Sequence, residues 1–172
     1  IAEETIAGVE QTEAGIDALI GQSGQRYNAD FFIDASGFAS ALLGKALQEP
    51  FHRYHRSLYC DQAITGGWTR GPAEEIKPYT TTETMNAGWC WRIDHEEAIN
   101  RGYVFSSAFI SAEEAEREFR EQNPQITHTR LVKFISGAYH RGWVKNVAAI
   151  GNAAGFVEPL EATAIGLICR QS

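Results

Sequence analysis

Gly151-Asn152-Ala153-Ala154-Gly155-Phe156-Val157-Glu158-Pro159-Leu160-Glu161-Ala162-Thr163-Ala164, near the end of a 172-residue chain, decides how the rest is read. It follows Val147-Ala148-Ala149-Ile150, an apolar run with the length of a buried strand, and leads into Ile165-Gly166-Leu167-Ile168-Cys169, which has the makings of a buried helix. The stretch is therefore a strand, a loop of small residues and a helix start. Gly and Ala let a backbone come close to a ligand, and a helix N-terminus carries partial positive charge that favours anions.

A second junction of this kind lies upstream. Ala29-Asp30-Phe31-Phe32-Ile33-Asp34 is a nearly unbroken apolar run that predicts a buried strand ending in Ala35-Ser36-Gly37, with a short helix over Ser40 to Leu47. Before it, Thr5 to Val9 and Ile16 to Ile20, separated by Glu13-Ala14-Gly15 and followed by Gln22-Ser23-Gly24, predict a β-meander. Between the two junctions, Cys60 to Trp68, Tyr79 to Met85, Gly88 to Ile93 and Tyr103 to Phe109 are rich in Thr, aromatic and β-branched residues and predict a mainly antiparallel sheet. Ser111 caps a polar helix to about Gln122, and Leu131 to Ser136 predicts a further strand. Strand alternation puts Trp89, Trp91 and Ile93 on one face and Cys90 and Arg92 on the other. Paired indoles in a strand ordinarily pack in a core.

Bulk properties narrow the function classes. A 44% hydrophobic content supports a core of ordinary size, and a net charge of -7 with scattered Lys and Arg argues against nucleic acid and an anionic membrane surface. A small-molecule site is the remaining expectation. Cys60, Cys90 and Cys169 form no Cys-x-x-Cys pair and leave an odd count, which suits a reducing cytoplasm, and no apolar run has the length of a membrane span. His52 and His55 have the spacing of one helical face but no third ligand beside them, so solvated histidines rather than a metal pair are expected. The absence of an initiating Met, and a last helix without a Gly stop, read as an excised segment.

Three motifs carry a family resemblance. Phe156-Val157-Glu158-Pro159-Leu160-Glu161, with Thr163 after it, resembles nearly letter for letter a loop of flavin-dependent tryptophan halogenases. Asp34-Ala35-Ser36-Gly37-Phe38 is similar to the second nucleotide-contacting loop of FAD-dependent hydroxylases and halogenases, and Trp89-Cys90-Trp91-Arg92-Ile93 to the halogenase signature Trp-x-Trp-x-Ile-Pro, with Asp94 where Pro is usual. The resemblance spans almost the whole chain.

It implies an α+β chain, part of an FAD-dependent monooxygenase-like (Rossmann-type FAD/NAD(P)-binding) fold with a mainly antiparallel substrate-side sheet. FAD-binding parts are expected over 1–50 and 137–172, and the sheet with its helix over 51–136. The implied cofactor is FAD, used as FADH2 with oxygen and chloride or bromide. The implied partners are a tryptophan- or indole-like aromatic substrate and a flavin reductase. By the same resemblance Ala35, Ser36, Gly37, Gly151, Asn152, Ala153 and Pro159 lie at the flavin, and the backbone N–H groups of Thr163 and Ala164 hold the halide. Trp89 and Trp91 stand between flavin and substrate, and Glu161 is the catalytic carboxylate, working with a lysine upstream of this segment.

Three alternatives stay open. A helix with Pro159 at its first position would make Glu161 an ordinary dipole-stabilised residue and engage the Thr163 N–H. An aromatic monooxygenase, or a flavin-binding module without chemistry, would carry the same loops. The segment alone is expected to be inactive, because the Gly-x-Gly-x-x-Gly loop and the lysine fall outside it.

Overall fold

A computed structural model describes residues 3–159 and 163–171, which fall into two compact units, Ile1–Tyr54 with Ser136–Ser172, and His55–Ile135. The first unit opens with an antiparallel meander of β1 (Ile6–Thr12), β2 (Gly15–Gly21) and β3 (Arg26–Asn28). β4 (Phe32–Asp34) is shorter than the apolar run predicts. Phe32 and Asp34 are buried while Ile33 is 61% exposed, so the run covers one face of a strand and is not buried on both.

A 3-10 turn at Gly37–Ala39 and a short π-type helix at Ala41–Ala46 follow. Lys45 N–H donates to Ser40 O and Leu47 N–H to Leu42 O, so the short helix expected here has the wide spacing of a π turn. β5 (Phe51–Arg53) then corrects the helical reading of residues 50–58: His52 lies in a strand, and His55 lies in a turn of the other unit.

The second unit is one five-stranded antiparallel sheet. Its strands are β6 (Gln62–Thr69), β7 (Thr81–Met85), β8 (Gly88–Asp94), β9 (Ala98–Phe105) and, after α1 (Ala112–Gln122), β10 (Thr129–Lys133), in the order β10-β6-β9-β8-β7. β9 begins well before Tyr103 and ends at Phe105, because pairing with β6 on one side and β8 on the other extends it through the polar Asn100-Arg101. β10 likewise pairs with β6 from Thr129 and ends at Lys133, short of Ser136. α1 starts with a full capping box, Ser111 Oγ accepting from Glu114 N and the Glu114 carboxylate accepting from Ser111 N. Its Ala115 and Phe119 pack on Ile64, Met85, Cys90, Tyr103 and Phe105, the core of this unit.

The chain returns to the first unit through β11 (Gly137–Tyr139), β12 (Trp143–Val144), β13 (Val147–Ala149), β14 (Gly155–Phe156) and α2 (Thr163–Gln171). β11 lies between β14 and β5, and β13 between β12 and β4. β13 and β4 run parallel, whereas the other described strand pairs are antiparallel. Ile16, Phe32, Leu42 and Val147 form the core beneath them. Among the described residues no helix is long and apolar enough to cross a membrane.

Candidate functional site

Because β4 and β13 are parallel neighbours, with Ala149 opposite Asp34, the loops that leave them emerge side by side. Open sheets bind ligands beyond the carboxyl ends of such strands. Ala35–Gly37 and Gly151–Ala153, distant in sequence, are tied together at three points. Ile150 N–H donates to Asp34 O at 3.0 Å. Ser40 Oγ donates to Ala153 O at 2.9 Å. The rings of Phe38 and Phe156 meet edge to face with centroids 5.0 Å apart.

Asp34 organises the first loop and escaped the sequence reading, although an Asp two residues before a Ser is a known turn builder. Its Oδ1 accepts from Ser36 N (3.1 Å) and Ser36 Oγ (2.6 Å), and its Oδ2 accepts from Leu42 N (2.8 Å) and Leu43 N (2.9 Å). Both polar hydrogens of Ser36 are therefore engaged within the loop. Ala35 and Ser36 are exposed and Gly37 is half-buried at φ 64°.

The second loop is shaped more by packing than by free amides. Gly151 adopts φ 58°, and a side chain there would press on Ile168 of α2 at 3.1 Å. Its N–H is taken by Gln171 Oε1 at 2.8 Å, while Ala153 N and Ala154 N donate back to Ile150 O and Gly151 O. What the loop leaves unmet is an acceptor: Asn152 Oδ1 is buried and finds no donor among the described residues.

Pro159 lies in a bend and is half-buried, and the start of the helix that follows it falls outside the described residues. Glu161, the carboxylate singled out from the sequence, lies outside the described residues. Thr163 and Ala164 are the first residues described in α2.

The tryptophans belong to the second unit, and the sheet turns them away from its core. Cys90 faces α1 and is fully buried, whereas Trp89 and Trp91 are half-buried on the opposite face with centroids 6.0 Å apart. Trp91 lies over Gly102 of β9, where any Cβ would be only 2.0 Å from the indole. On the core face Asp94 accepts from Arg92 Nε at 2.8 Å and from Lys77 N at 3.2 Å, and the Arg92 guanidinium lies 5.7 Å from the Trp68 ring centre. The Arg92 hydrogen bond holds the Asp94 carboxyl below the usual range. Deeper in the sheet, burial raises the Cys90 thiol and pushes the Tyr103 phenol up to about 12, so both stay protonated at neutral pH.

The chain matches the family described as tryptophan halogenase over residues 1–171. It is 34% identical over 171 residues to the tryptophan 7-halogenase RebH of Lentzea aerocolonigenes, covering 95% of this chain and 32% of RebH. The crystal structure of MibH, a lathipeptide tryptophan 5-halogenase, superposes with a TM-score of 0.91 at 43% identity, covering 98% of this chain and 32% of that one. BrvH, a flavin-dependent halogenase from Brevundimonas sp. BAL3, superposes with a TM-score of 0.91 at 33% identity, covering 98% of this chain and 35% of that one. The chain thus spans about a third of the length of the relatives it matches. Its α+β fold, its paired loops and these likenesses agree: the chain belongs to the tryptophan halogenase family.

Proposed function

We propose that the complete protein is an FADH2- and oxygen-dependent halogenase that chlorinates or brominates an electron-rich, indole-like aromatic substrate. The observation that carries this reading is the juxtaposition of Ala35–Gly37 with Gly151–Ala153 at the carboxyl ends of two parallel strands. A flavin nucleotide fits the orphaned Asn152 Oδ1, since it brings hydroxyl and ring N–H donors to a buried acceptor. Reduced FAD with oxygen would supply the two-electron oxidation that makes halide electrophilic.

The chain's own residues would do the rest. Ala35, Gly37 and the small residues 151–153 would admit the cofactor's close approach, Pro159 would line it, and Ser36 holds its loop in shape through Asp34. In this reading the helix begins after Glu161, and Thr163 N–H and Ala164 N–H in its first turn would hold the halide, because free donors at a positive helix end attract a monovalent anion without a formal cation. Glu161 would take the proton lost from the ring carbon that gains halogen. Trp89 and Trp91 would present an indole wall toward the substrate. A separate flavin reductase would deliver the reduced cofactor.

The test is product identity. Complete protein supplied with reduced FAD, oxygen, bromide and an indole should give a brominated product by mass spectrometry, and Glu161→Gln should abolish it while leaving flavin binding intact. Hydroxylation alone would replace this reading with an aromatic monooxygenase, and flavin binding without any product would leave a binding module.

A further inference from the structure

The histidine that sequence spacing pairs with His55 is paired by the fold with a different one. β5 and β11 run antiparallel with His52 opposite Ala138, and His140 N–H donates to Pro50 O just past the ladder at 3.0 Å. His52 and His140 are therefore diagonal neighbours on one face. Their ring centroids are 6.3 Å apart, and both side chains are exposed. No hydrogen bond to any of their four ring nitrogens occurs among the described residues, and the neighbouring carboxylate, Glu49, is already clamped by Arg141 at 2.6 and 3.0 Å.

We propose that His52 and His140 chelate one divalent late first-row transition-metal ion, copper(II) or nickel(II) ahead of zinc, with solvent filling the other positions. Ring nitrogens about 2.0–2.1 Å from a shared ion put imidazole centroids roughly 4.5–6.5 Å apart, depending on the angle at the metal. The observed separation lies inside that range, and exposed side chains close any remainder by rotating. Neutral nitrogen donors suit copper and nickel, and without a free carboxylate the pair offers nothing to magnesium or calcium. Among the described residues no group of three or more His, Cys, Asp and Glu could hold a metal, so the site is bidentate and a chelator such as EDTA strips it.

Binding also has a structural consequence. β5 precedes the chain's passage into the second unit and β11 follows its return, so the two ligands are brought together by folding alone. A metal that bridges them prefers the folded state and raises its stability by mass action.

The experiment titrates copper(II) chloride or nickel(II) chloride into complete protein stripped of metal, by calorimetry and by thermal melting. The expected result is one ion per chain at this site, a copper spectrum with two nitrogen donors, and a raised melting temperature. His52→Gln and His140→Gln should each weaken binding by at least about tenfold, since loss of a ligand costs no less than loss of a group that orients one. His55→Gln should leave binding unchanged. Unaltered affinity in either of the first two variants, loss of binding in the third, or no saturable binding would each overturn the proposal. The outcome is independent of whether the protein halogenates anything.

Discussion

Ser40 Oγ donates a 2.9 Å hydrogen bond to the Ala153 carbonyl across 113 residues of chain, and the same oxygen accepts from Gly44 N at 3.0 Å. Ser40 is 2% exposed and sits at φ 37°, a left-handed conformation that few side chains adopt. One buried hydroxyl thereby sets the separation of the two loops at the proposed flavin site.

Replacing it should show in both stability and binding. Ser40→Ala leaves the buried Ala153 carbonyl without its donor, while Gly44 N–H keeps its 3.1 Å bond to Ser40 O, at a cost of about 1–3 kcal/mol in urea unfolding. Flavin affinity of the complete protein should fall in parallel. A stability loss with unchanged flavin affinity would mean that the spacing of the loops does not matter to the cofactor.

Gly102→Ala should dislodge Trp91. The added methyl cannot coexist with an indole 2.0 Å away, so the ring must leave its place on β9, at about 1–3 kcal/mol for overpacking. Tryptophan fluorescence and near-ultraviolet circular dichroism read the movement directly. If the indole wall serves the substrate, product formation falls more than stability does.

Asp94→Asn tests the residue that departs from the family's proline. Arg92 lowers the folded-state pKa of Asp94, so the carboxylate stabilises the fold above its unfolded pKa of about 3.9. That contribution disappears as pH falls through the lowered value. Wild type should therefore exceed the Asn variant in urea stability at pH 7, with the gap narrowing in acid; a gap that stays constant with pH would rule out the charge as its source.

Tyr103 predicts the opposite limb. Its folded-state pKa of about 12 stands above the unfolded value of about 10, so the phenol costs stability only once the unfolded chain can ionise. Stability should fall as pH rises from about 10 toward 12, and Tyr103→Phe should flatten that fall. Absorbance titration near 295 nm gives the ionisation itself.

Much of the second unit was legible because its signals are local. The Ser111 cap with Glu114 three residues on, and the alternation that puts Cys90 and the tryptophans on opposite faces, are written within a few residues of one another, whereas it took the packing of α1 to turn Cys90 and not the indoles inward. β9 was legible only in part. Asn100 and Arg101 look like loop residues, and what makes them strand is two neighbours paired along their whole length. Arg101 is tolerated there because Glu83 receives its guanidinium at 2.7 Å.

By itself the amino-acid sequence determined the strand-loop-helix character of both small-residue loops and the family motifs around them, since apolar runs and Gly or Ala clusters act over a turn or two of chain. Only the tertiary structure decided that β4 and β13 lie parallel and adjacent, that Asp34 receives four donors, and that His52 meets His140 and not His55. Those are pairings between distant segments, set by hydrogen-bond ladders and burial that form once the chain has closed on itself.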